Sequence, residues 1–466
     1  MFTFAAIYKN LGRFNRLTKK PLKQEIVKVS FKYLSILSVF AFLFFFSTSA
    51  FAKGGDGEKA EKYDPVTTVM EHIGDANEFH VWYGVHIPLP CMLYAPEHGG
   101  WSFFWSSAFD HGHAVVDGYV LNHGRVNRIA DAAYYSKGGH DDHGHDDHGH
   151  DGHDHDDHAT ESHDGAHGHG HLEGIIKKKE TTAEGKEKEI SYAIVDGKEY
   201  KLDKPSTVDG GVLGGGITSF YDFSITKNVF TMILASLLLI FLFRAVAKGY
   251  KANDGKAPSG IQSFMEPFFV FIRDEVTVPM IGEHKYEKFQ PFIMTLFFFI
   301  LFCNLLGLIP FFPGSANVTG NLAVTLVLAV LAFLVTNLNG NGHYWEHIFW
   351  MPGIPAWVKI ILTPVEVLGL FIKPFSLMIR LFANISAGHI IILSLIGLIF
   401  LFGDNGASVG GAAVGGVIGG LFTAFMNLIE LLVAFLQAFI FAILTASYIG
   451  AAVEDHHHHD EHEVAH

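Results

Sequence analysis

The chain has little of what marks a nucleotide-binding or disulfide-stabilised protein. Its 466 residues include two cysteines, Cys91 and Cys303, one in a polar region and one in an apolar run. We expect no disulfide between them, and the pair does not indicate a compartment. The nearest match to a phosphate-binding P-loop runs from Gly249 to Lys256 and is one residue too long, and Ala257 replaces the required hydroxyl. The sequence therefore predicts no catalytic nucleotide site.

Charged residues are scarce in the second half of the chain. Residues 225–453 are mostly apolar, whereas residues 53–220 are rich in His, Asp and Gly. The formal net charge of −14 comes largely from the Asp and Glu of the polar part and the C-terminal tail. This division predicts a water-facing segment followed by a membrane domain.

The N-terminus has the pattern of a secretory signal. Basic residues precede an apolar run from Tyr33 to Phe46, and residues 50–52 offer an Ala-x-Ala cleavage site before Lys53. We expect residues 1–52 to be removed, which would leave the mature N-terminus in the periplasm. An uncleaved anchor is the alternative, because the basic region is long, and it would add a sixth span.

The polar part divides into regions of different composition. Residues 53–139 carry scattered aromatic side chains and predict a small folded or membrane-resting periplasmic extension. Residues 140–171 contain almost nothing apolar to bury, so this His/Asp-rich tract is predicted to be disordered. Residues 172–220 form a hairpin and linker, since 190–202 alternates around an Asp-Gly turn, a signal for a short β-hairpin.

The His/Asp-rich tract has the chemistry of a metal ligand without a defined spacing. Imidazoles bind Zn²⁺, Cu²⁺ and Ni²⁺. A solvated spacer with no essential role is the alternative interpretation. The candidate ligands for zinc or a similar divalent metal are His140, His143, His145, His148, His150 and His153.

Five apolar segments predict membrane spans within residues 221–453. The first three have ordinary length, at about 228–247, 291–309 and 321–338. The last two, 363–402 and 413–453, would form helices ~60 Å long against a ~30 Å hydrocarbon core. We therefore predict an all-α polytopic membrane protein whose last two helices form a long, steeply tilted hairpin, plus a small N-terminal extramembrane region with a short β-hairpin.

The distribution of positive charge predicts the orientation. Basic residues cluster at 244–256, after the first span, which places that end in the cytoplasm. The loops at 311–320 and 403–411 lack Lys and Arg, as outer loops should. The tail at 454–466 is then cytoplasmic, and the segment 261–278 suits an interfacial helix.

Ionisable residues inside the apolar runs are the candidate functional groups. Arg380 lies within one of the longest runs, where a guanidinium costs about 2.5–3.5 kcal/mol on insertion scales. It cannot release its proton, so it can act only as a fixed charge. At 100° per residue, His389 faces the opposite side of that helix, whereas Glu430 and Gln437 share one face of the last helix. His389 and Glu430 could pass protons along; a structural Arg–Glu pair is the alternative.

These motifs carry a family resemblance. The segment Arg380-Leu-Phe-Ala-Asn384-Ile-Ser-Ala-Gly388-His389 resembles the arginine motif of subunit a of the rotary F-type ATP synthase. Segments 430–445, 303–310 and 222–228 resemble other motifs of that family, in order and at family spacing over residues 220–453. The resemblance implies a stator subunit in the bacterial inner membrane that conducts protons through two half-channels. Its partners would be the c-ring and b subunits and the lipid bilayer.

The resemblance also implies roles for single residues. Arg380 would face the c-ring carboxylates with help from Asn384, and the other residues would line the outer half-channel. Many bacterial members have an acid where this chain has His389 and a His where it has Glu430, an exchange that mitochondrial relatives share. Gly307 departs from members that carry Asp there; either that group is dispensable or Asn304 and water replace it. The implied site residues are Arg380, Asn384, His389, Glu430, Gln437 and Asn304.

The sequence thus predicts a membrane subunit of an ATP synthase complex that needs no cofactor and binds no nucleic acid. One rival is a transition-metal ion transporter with a His-rich loop, but it would need metal ligands within the spans and would tolerate Arg380 poorly. A non-conducting assembly protein is the other rival, and it would have no use for these ionisable residues. Proton or sodium coupling stays open, because ion selectivity lies largely in the ring.

Overall fold

A computed structural model describes residues 74–454, except for 83–84, 98–99, 136–168, 182–186, 211–216, 254, 310–311, 313, 315, 352 and 404–407. The signal predicted at 1–52, most of the His/Asp-rich tract and the tail after Glu454 lie outside the described residues. The described chain forms two compact units, which divide between Phe230 and Thr231.

The first unit, residues 75–230, is built from antiparallel strands. A hairpin is formed by β1 (Glu78–Trp82) and β2 (Val85–Pro88). A three-stranded sheet has the order β11-β3-β4, with β3 at Pro90–Ala95, β4 at Gly100–Trp105 and β11 at Tyr221–Asp222. A six-stranded sheet has the order β10-β9-β8-β5-β6-β7, and its strands are β5 (Ala114–Val116), β6 (Tyr119–Asn122), β7 (Arg125–Arg128), β8 (His169–Thr181), β9 (Glu187–Val195) and β10 (Lys198–Lys201). A short helix α1 (Ala132–Tyr135) follows β7.

The hairpin predicted at 190–202 is confirmed. Strands β9 and β10 pair with Val195 opposite Lys198, so Asp196 and Gly197 form a two-residue loop. Their φ angles are 51° and 73°, which match a type I′ turn, and Asp-Gly is a preferred sequence for that turn.

The domain boundaries on either side of the His/Asp-rich tract need correction. The sequence analysis separated 53–139 from 172–220, but β8 pairs with β5, with Ala114 opposite His171. His169–Thr181 is thus one strand, and residues 169–171 belong to it although they were predicted to be disordered. Leu172 is 2% exposed and joins a core with Val115 and Val120, so residues on both sides of the tract share one sheet and one core.

The second unit is helical. The helices are α2 (Lys227–Ala252), which begins in the first unit, α3 (Ile261–Phe271), a π-helical turn (Ile272–Thr277), α4 (Val278–Ile281), α5 (Tyr286–Gly307), α6 (Leu322–Leu338), α7 (Gly342–Trp350), α8 (Ala356–Phe402) and α9 (Val409–Val453). Among the described residues, α2, α5, α8 and α9 are long and apolar enough to cross a membrane. Helices α6 and α7 are bent by 103° and together make a fifth candidate span. The prediction of a polytopic all-α membrane domain is confirmed.

Helices α8 and α9 are longer than the sequence analysis predicted. They have 47 and 45 residues, or ~70 Å each at 1.5 Å per residue. Pro364 and Pro374 lie inside α8 without ending it. Ser408 caps the start of α9 by accepting a hydrogen bond from the Gly411 N–H at 3.1 Å. The steep tilt in a membrane stays a prediction.

Small residues bring α9 close to its neighbours. Ala434, Ala438, Ala442 and Ala446 recur every four residues and are fully buried. Gly450 continues this stripe, and a Cβ placed there would lie 1.8 Å from the Met280 carbonyl oxygen. Such stripes of small residues let helix backbones approach closely, so the second half of α9 is held firmly in the core. That region carries the candidate site.

Candidate ion-translocation site

Arg380 lies on α8 and is half-buried, and Asn384, one turn further, is exposed. The two share a stripe of the helix. The Nζ of Lys373, two turns before Arg380, lies 5.6 Å from the centre of the Tyr448 ring on α9. Arg380 therefore lies on a helix that contacts α9, and part of its own side chain stays accessible.

His389 and Glu430 join α8 to α9. The His389 Nε2 is 3.7 Å from the Glu430 Oε1, and their side chains are 20% and 3% exposed. Both carboxylate oxygens of Glu430 are buried, and neither accepts a hydrogen bond within the part of the chain that the structure describes. A buried carboxylate without donors is costly when ionised. The pair is thus suited to hold a proton and pass it on, rather than to serve as a hydrogen-bonded structural bridge.

Gly388 makes the room that the Glu430 carboxylate occupies. A Cβ at position 388 would lie 2.9 Å from Oε1 and 3.1 Å from Cδ of Glu430. The absence of a side chain therefore lets the carboxylate lie directly against the backbone of α8. The packing of Glu430 therefore explains why the arginine motif has a glycine at position 388, which the motif alone does not explain.

Gln437 of α9 and Asn304 of α5 are both buried. Gln437 lies two turns beyond Glu430, as the sequence analysis predicted. Asn304 of α5 donates from Nδ2 to the Ala434 carbonyl at 3.1 Å, and its Oδ1 accepts from the Thr319 hydroxyl at 2.6 Å. The structure thus brings Asn304 next to α9, where it also ties α5 and the following loop to that helix.

Gly307 packs closely against the loop after α5. A Cβ there would lie 3.0 Å from the Ala316 carbonyl oxygen, so a side chain at this position, where some family members carry Asp, would require the loop backbone to move by a few tenths of an ångström. For the alternative in which Asn304 and water replace the acid, the support from the structure is the two hydrogen bonds of Asn304.

A polar cavity that the sequence analysis missed lies toward the start of α8. It has a volume of about 260 Å³. Its polar lining residues are His343, Tyr344, His347, Glu366, Lys373 and Glu454. Glu366 is an ionisable residue in an apolar run, the same signal that identified Arg380, so the sequence contained a clue. His343 and His347 lie four residues apart on α7 and so share a face.

The ionisable groups of α8 lie in series along the helix. Glu366 precedes Arg380 by 14 residues, or ~21 Å, and His389 follows it by nine residues, or ~14 Å, at 1.5 Å per residue. Along α8, Arg380 therefore separates the polar cavity around Glu366 from the pair that half-buried His389 forms with buried Glu430.

The candidate metal ligands of the tract, from His140 to His153, lie outside the described residues. Among the residues that are described, no group of three or more His, Cys, Asp and Glu side chains could hold a metal ion.

Comparison with known proteins identifies the family. Residues 229–450 match a family model described as ATP synthase A chain. The ATP synthase subunit a of Myxococcus xanthus (strain DK1622) is 41% identical over 265 residues, which are 55% of this chain and 82% of that protein. The chain belongs to the ATP synthase subunit a family. The family match begins inside α2, so it covers the membrane unit and leaves out the strands before it.

Other relatives agree over shorter stretches. ATP synthase subunit a of Chloroherpeton thalassium (strain ATCC 35110 / GB-78) is 42% identical over 218 residues, 45% of this chain and 62% of that protein. ATP synthase subunit a 2 of Chlorobaculum tepidum (strain ATCC 49652 / DSM 12025 / NBRC 103806 / TLS) is 46% identical over 187 residues, 39% of this chain and 51% of that protein. This chain thus spans about half to two thirds of these two subunits. Residues 68–156 match a family described as Domain of unknown function (DUF8433).

Proposed function

We propose that this chain is the stator subunit of an ATP synthase membrane sector and conducts protons to and from the carboxylates of a c-ring. The observation that carries the proposal is the series along α8, with the His389–Glu430 pair on one side of Arg380 and a polar cavity on the other. Family membership supports the same function. The c-ring and b subunits are the proposed protein partners.

The outer half-channel is proposed to end at His389 and Glu430. Their 3.7 Å separation is too long for a direct hydrogen bond, so transfer needs a small side-chain movement or one bridging water. Glu430 is buried and without donors, so it can be protonated and deprotonated in turn. Gln437, two turns further along α9, and Asn304 of α5, which is hydrogen-bonded to the Ala434 carbonyl, supply further polar atoms along α9.

Arg380 is proposed to keep the two half-channels apart. Its guanidinium stays charged and offers only donors, so it cannot relay a proton. A ring carboxylate that faces it is favoured in the ionised form, because an opposite charge nearby stabilises that form. A proton must therefore leave the ring on one side of Arg380 and enter on the other, which couples flow to rotation. Asn384 would position the ring carboxylate on the same stripe.

The cavity around Glu366 is proposed as the inner half-channel. The basic residues at 244–256, in the last turns of α2 and just after it, support a cytoplasmic location for that end of the helix under the positive-inside rule. In this orientation the protein is a multi-pass protein of the bacterial inner membrane, with a periplasmic N-terminus and a cytoplasmic C-terminus. Sequencing the N-terminus of the mature chain should find Lys53 at or near the start, and an intact Met1 would indicate an anchor instead.

Substitution of Arg380 tests the proposal. Arg380→Ala should abolish coupled ATP synthesis in inverted vesicles while the complex still assembles, and Arg380→Lys should also fail largely because a point charge lacks the planar fork. Arg244→Ala is the matched control, since Arg244 is an exposed arginine near the end of α2 and should be dispensable. Normal synthesis with Arg380→Ala would overturn the assignment.

A metal transporter with a His-rich loop is the second candidate, and less supports it. Arg380 repels a cation in the path that a metal would need, and the described spans offer no cluster of metal ligands. Uptake of Zn²⁺ by vesicles that carry the chain, lost on Glu430→Gln but unaffected by a c-ring inhibitor, would favour the transporter instead.

A further inference from the structure

One face of the three-stranded sheet in the first unit exposes aromatic side chains. Trp101, Phe103 and Trp105 alternate along β4 and are 52%, 56% and 58% exposed. Tyr221 and Phe223, along β11 and just after it, are more than one-third exposed. The residues of this aromatic face are Met92, Tyr94, Trp101, Phe103, Trp105, Tyr221 and Phe223.

The aromatic face is ordered by the pairing of its strands. Tyr94 of β3 lies directly opposite Trp101 of β4 and Tyr221 of β11. The ring of Trp101 stacks on Phe103 with centroids 5.5 Å apart and lies 5.4 Å from the Phe223 ring. The rings thus form a continuous and preorganised surface across three strands.

The opposite face of the same sheet is buried, so the sheet cannot hide its aromatics by turning over. Cys91, Leu93 and Ala95 alternate with the half-buried outward positions of β3 and are at most 1% exposed. They pack in one core with Phe109 and Tyr119. No outward position of β3 or β4 carries a charged side chain. An exposed apolar patch of this kind marks an interaction surface.

The chain leads from the aromatic face directly into a membrane span. The backbone ladder runs past β11, since the Ile225 N–H donates to the Pro90 carbonyl at 3.1 Å. The membrane-spanning helix α2 begins at Lys227, whose N–H donates to the Ala76 carbonyl at 2.8 Å. Lys227 is four positions after Phe223, so the edge of the aromatic face lies within about 14 Å of the first residue of a membrane span.

We propose that the aromatic face rests on the lipid surface at the periplasmic end of α2 and fixes the first unit to the bilayer. Tryptophan and tyrosine are enriched at membrane–water interfaces, where an apolar ring body meets a polar edge. The surface that the chain places next to a span therefore has the composition that a bilayer interface selects. This anchoring role is separate from proton conduction.

Fluorescence quenching tests the proposal on the full chain in phosphatidylcholine nanodiscs. With Trp82, Trp345, Trp350 and Trp357 replaced by Phe, the remaining emission comes from positions 101 and 105. We expect roughly twofold lower emission with lipids brominated near the headgroup than with plain lipids, because interfacial rings lie about 5–10 Å into the headgroup and acyl boundary. Full acrylamide accessibility and no quenching by bromine would overturn the proposal.

A matched control and a second variant keep the test decisive. Lys198→Trp, on an exposed position of β10, in a chain whose other tryptophans are all Phe, should be quenched by acrylamide and not by brominated lipid. Equal bromine quenching of this control would refute docking through the aromatic face. If the variant with four tryptophans replaced does not fold, the wild-type chain provides the second measurement. The fraction of its tryptophan emission that brominated lipid quenches should decrease when Trp101→Phe and Trp105→Phe are introduced together. An unchanged quenched fraction would also refute the proposal.

Discussion

Substituting Gly388 with Ala perturbs the candidate proton relay by a single methyl group. The added Cβ would lie 2.9 Å from the Glu430 Oε1, closer than non-bonded atoms tolerate. The carboxylate ends a flexible side chain, so it can move while the helices keep their packing. Relief to an ordinary contact of about 3.4 Å needs a shift of roughly 0.5 Å away from α8, and this lengthens the distance to His389.

The shift sets the expected size of the effect. A misplacement of about 1 Å can cost a reacting group roughly 10²-fold, so half that distance should slow proton conduction by about tenfold, or ~1.4 kcal/mol in the barrier. Stability should hardly fall, because Gly to Ala inside a helix contributes about 1 kcal/mol in favour of folding. The variant should therefore assemble normally and conduct poorly.

Passive proton uptake by inverted vesicles stripped of the catalytic sector measures the effect, with the amount of assembled membrane sector as the reference. Gly369→Ala is the matched control on the same helix, because a Cβ there meets nothing within 4 Å, and it should conduct normally. Gly450→Ala should instead prevent assembly, because its Cβ would lie 1.8 Å from the Met280 backbone oxygen.

A double-mutant cycle isolates the cause. Glu430→Asp shortens the side chain and removes the collision, so Gly388→Ala should cost little further in that background although it costs about tenfold in the Glu430 background. If Gly388→Ala conducts like Gly369→Ala, the position of the Glu430 carboxylate does not limit conduction and the relay assignment fails. An equal penalty in both backgrounds would show that the methyl group acts on something else.

Four further predictions concern other parts of the chain. His389→Ala and Glu430→Gln should each slow ATP-driven proton pumping, and the reciprocal exchange of the two residues should recover part of it; normal pumping by both single variants would place the outer half-channel elsewhere. Asn304→Ala should destabilise the assembled sector by about 1–3 kcal/mol because buried groups lose their partner, seen as a lower thermal midpoint. Burial raises the pKa of the Cys91 thiol to about 12, so in a variant with no other cysteine maleimide labelling at pH 7 should require denaturant. Deleting residues 140–168, which keeps strand β8 from residue 169 onward, should leave proton conduction intact, and isothermal titration of the isolated tract should detect weak Zn²⁺ sites that are lost below about pH 6 as imidazoles protonate.

Local sequence patterns predicted where strands and helices form better than they predicted which of them pair. The Asp-Gly turn and the alternation around it specify a hairpin on their own, and the apolar runs specify the spans. The pairing of β5 with β8 joins residues more than 50 positions apart, across a low-complexity tract that interrupts every local pattern. Long-range pairing of this kind depends on the shared core around Leu172 and leaves no periodic signal, so the two halves of the first unit were separated.

The candidate site divides in the same way. Arg380 and Glu430 stand out in the sequence because charge inside an apolar run is costly, and Glu366 obeys the same rule although its role could not be assigned without the cavity that it lines.

The contact of His389 with Glu430 depends on the offset of α8 relative to α9 along their axes. His389 lies 14 residues before Gly403, and Glu430 lies 22 residues after Ser408, so the two do not face each other in an evenly folded hairpin. The offset comes from packing, chiefly the stripe of small residues from Ala434 to Gly450 that seats α9 against its neighbours, and the space left by Gly388 then receives the carboxylate. The order of groups along each helix was therefore predictable, whereas the pairing between helices required the three-dimensional structure.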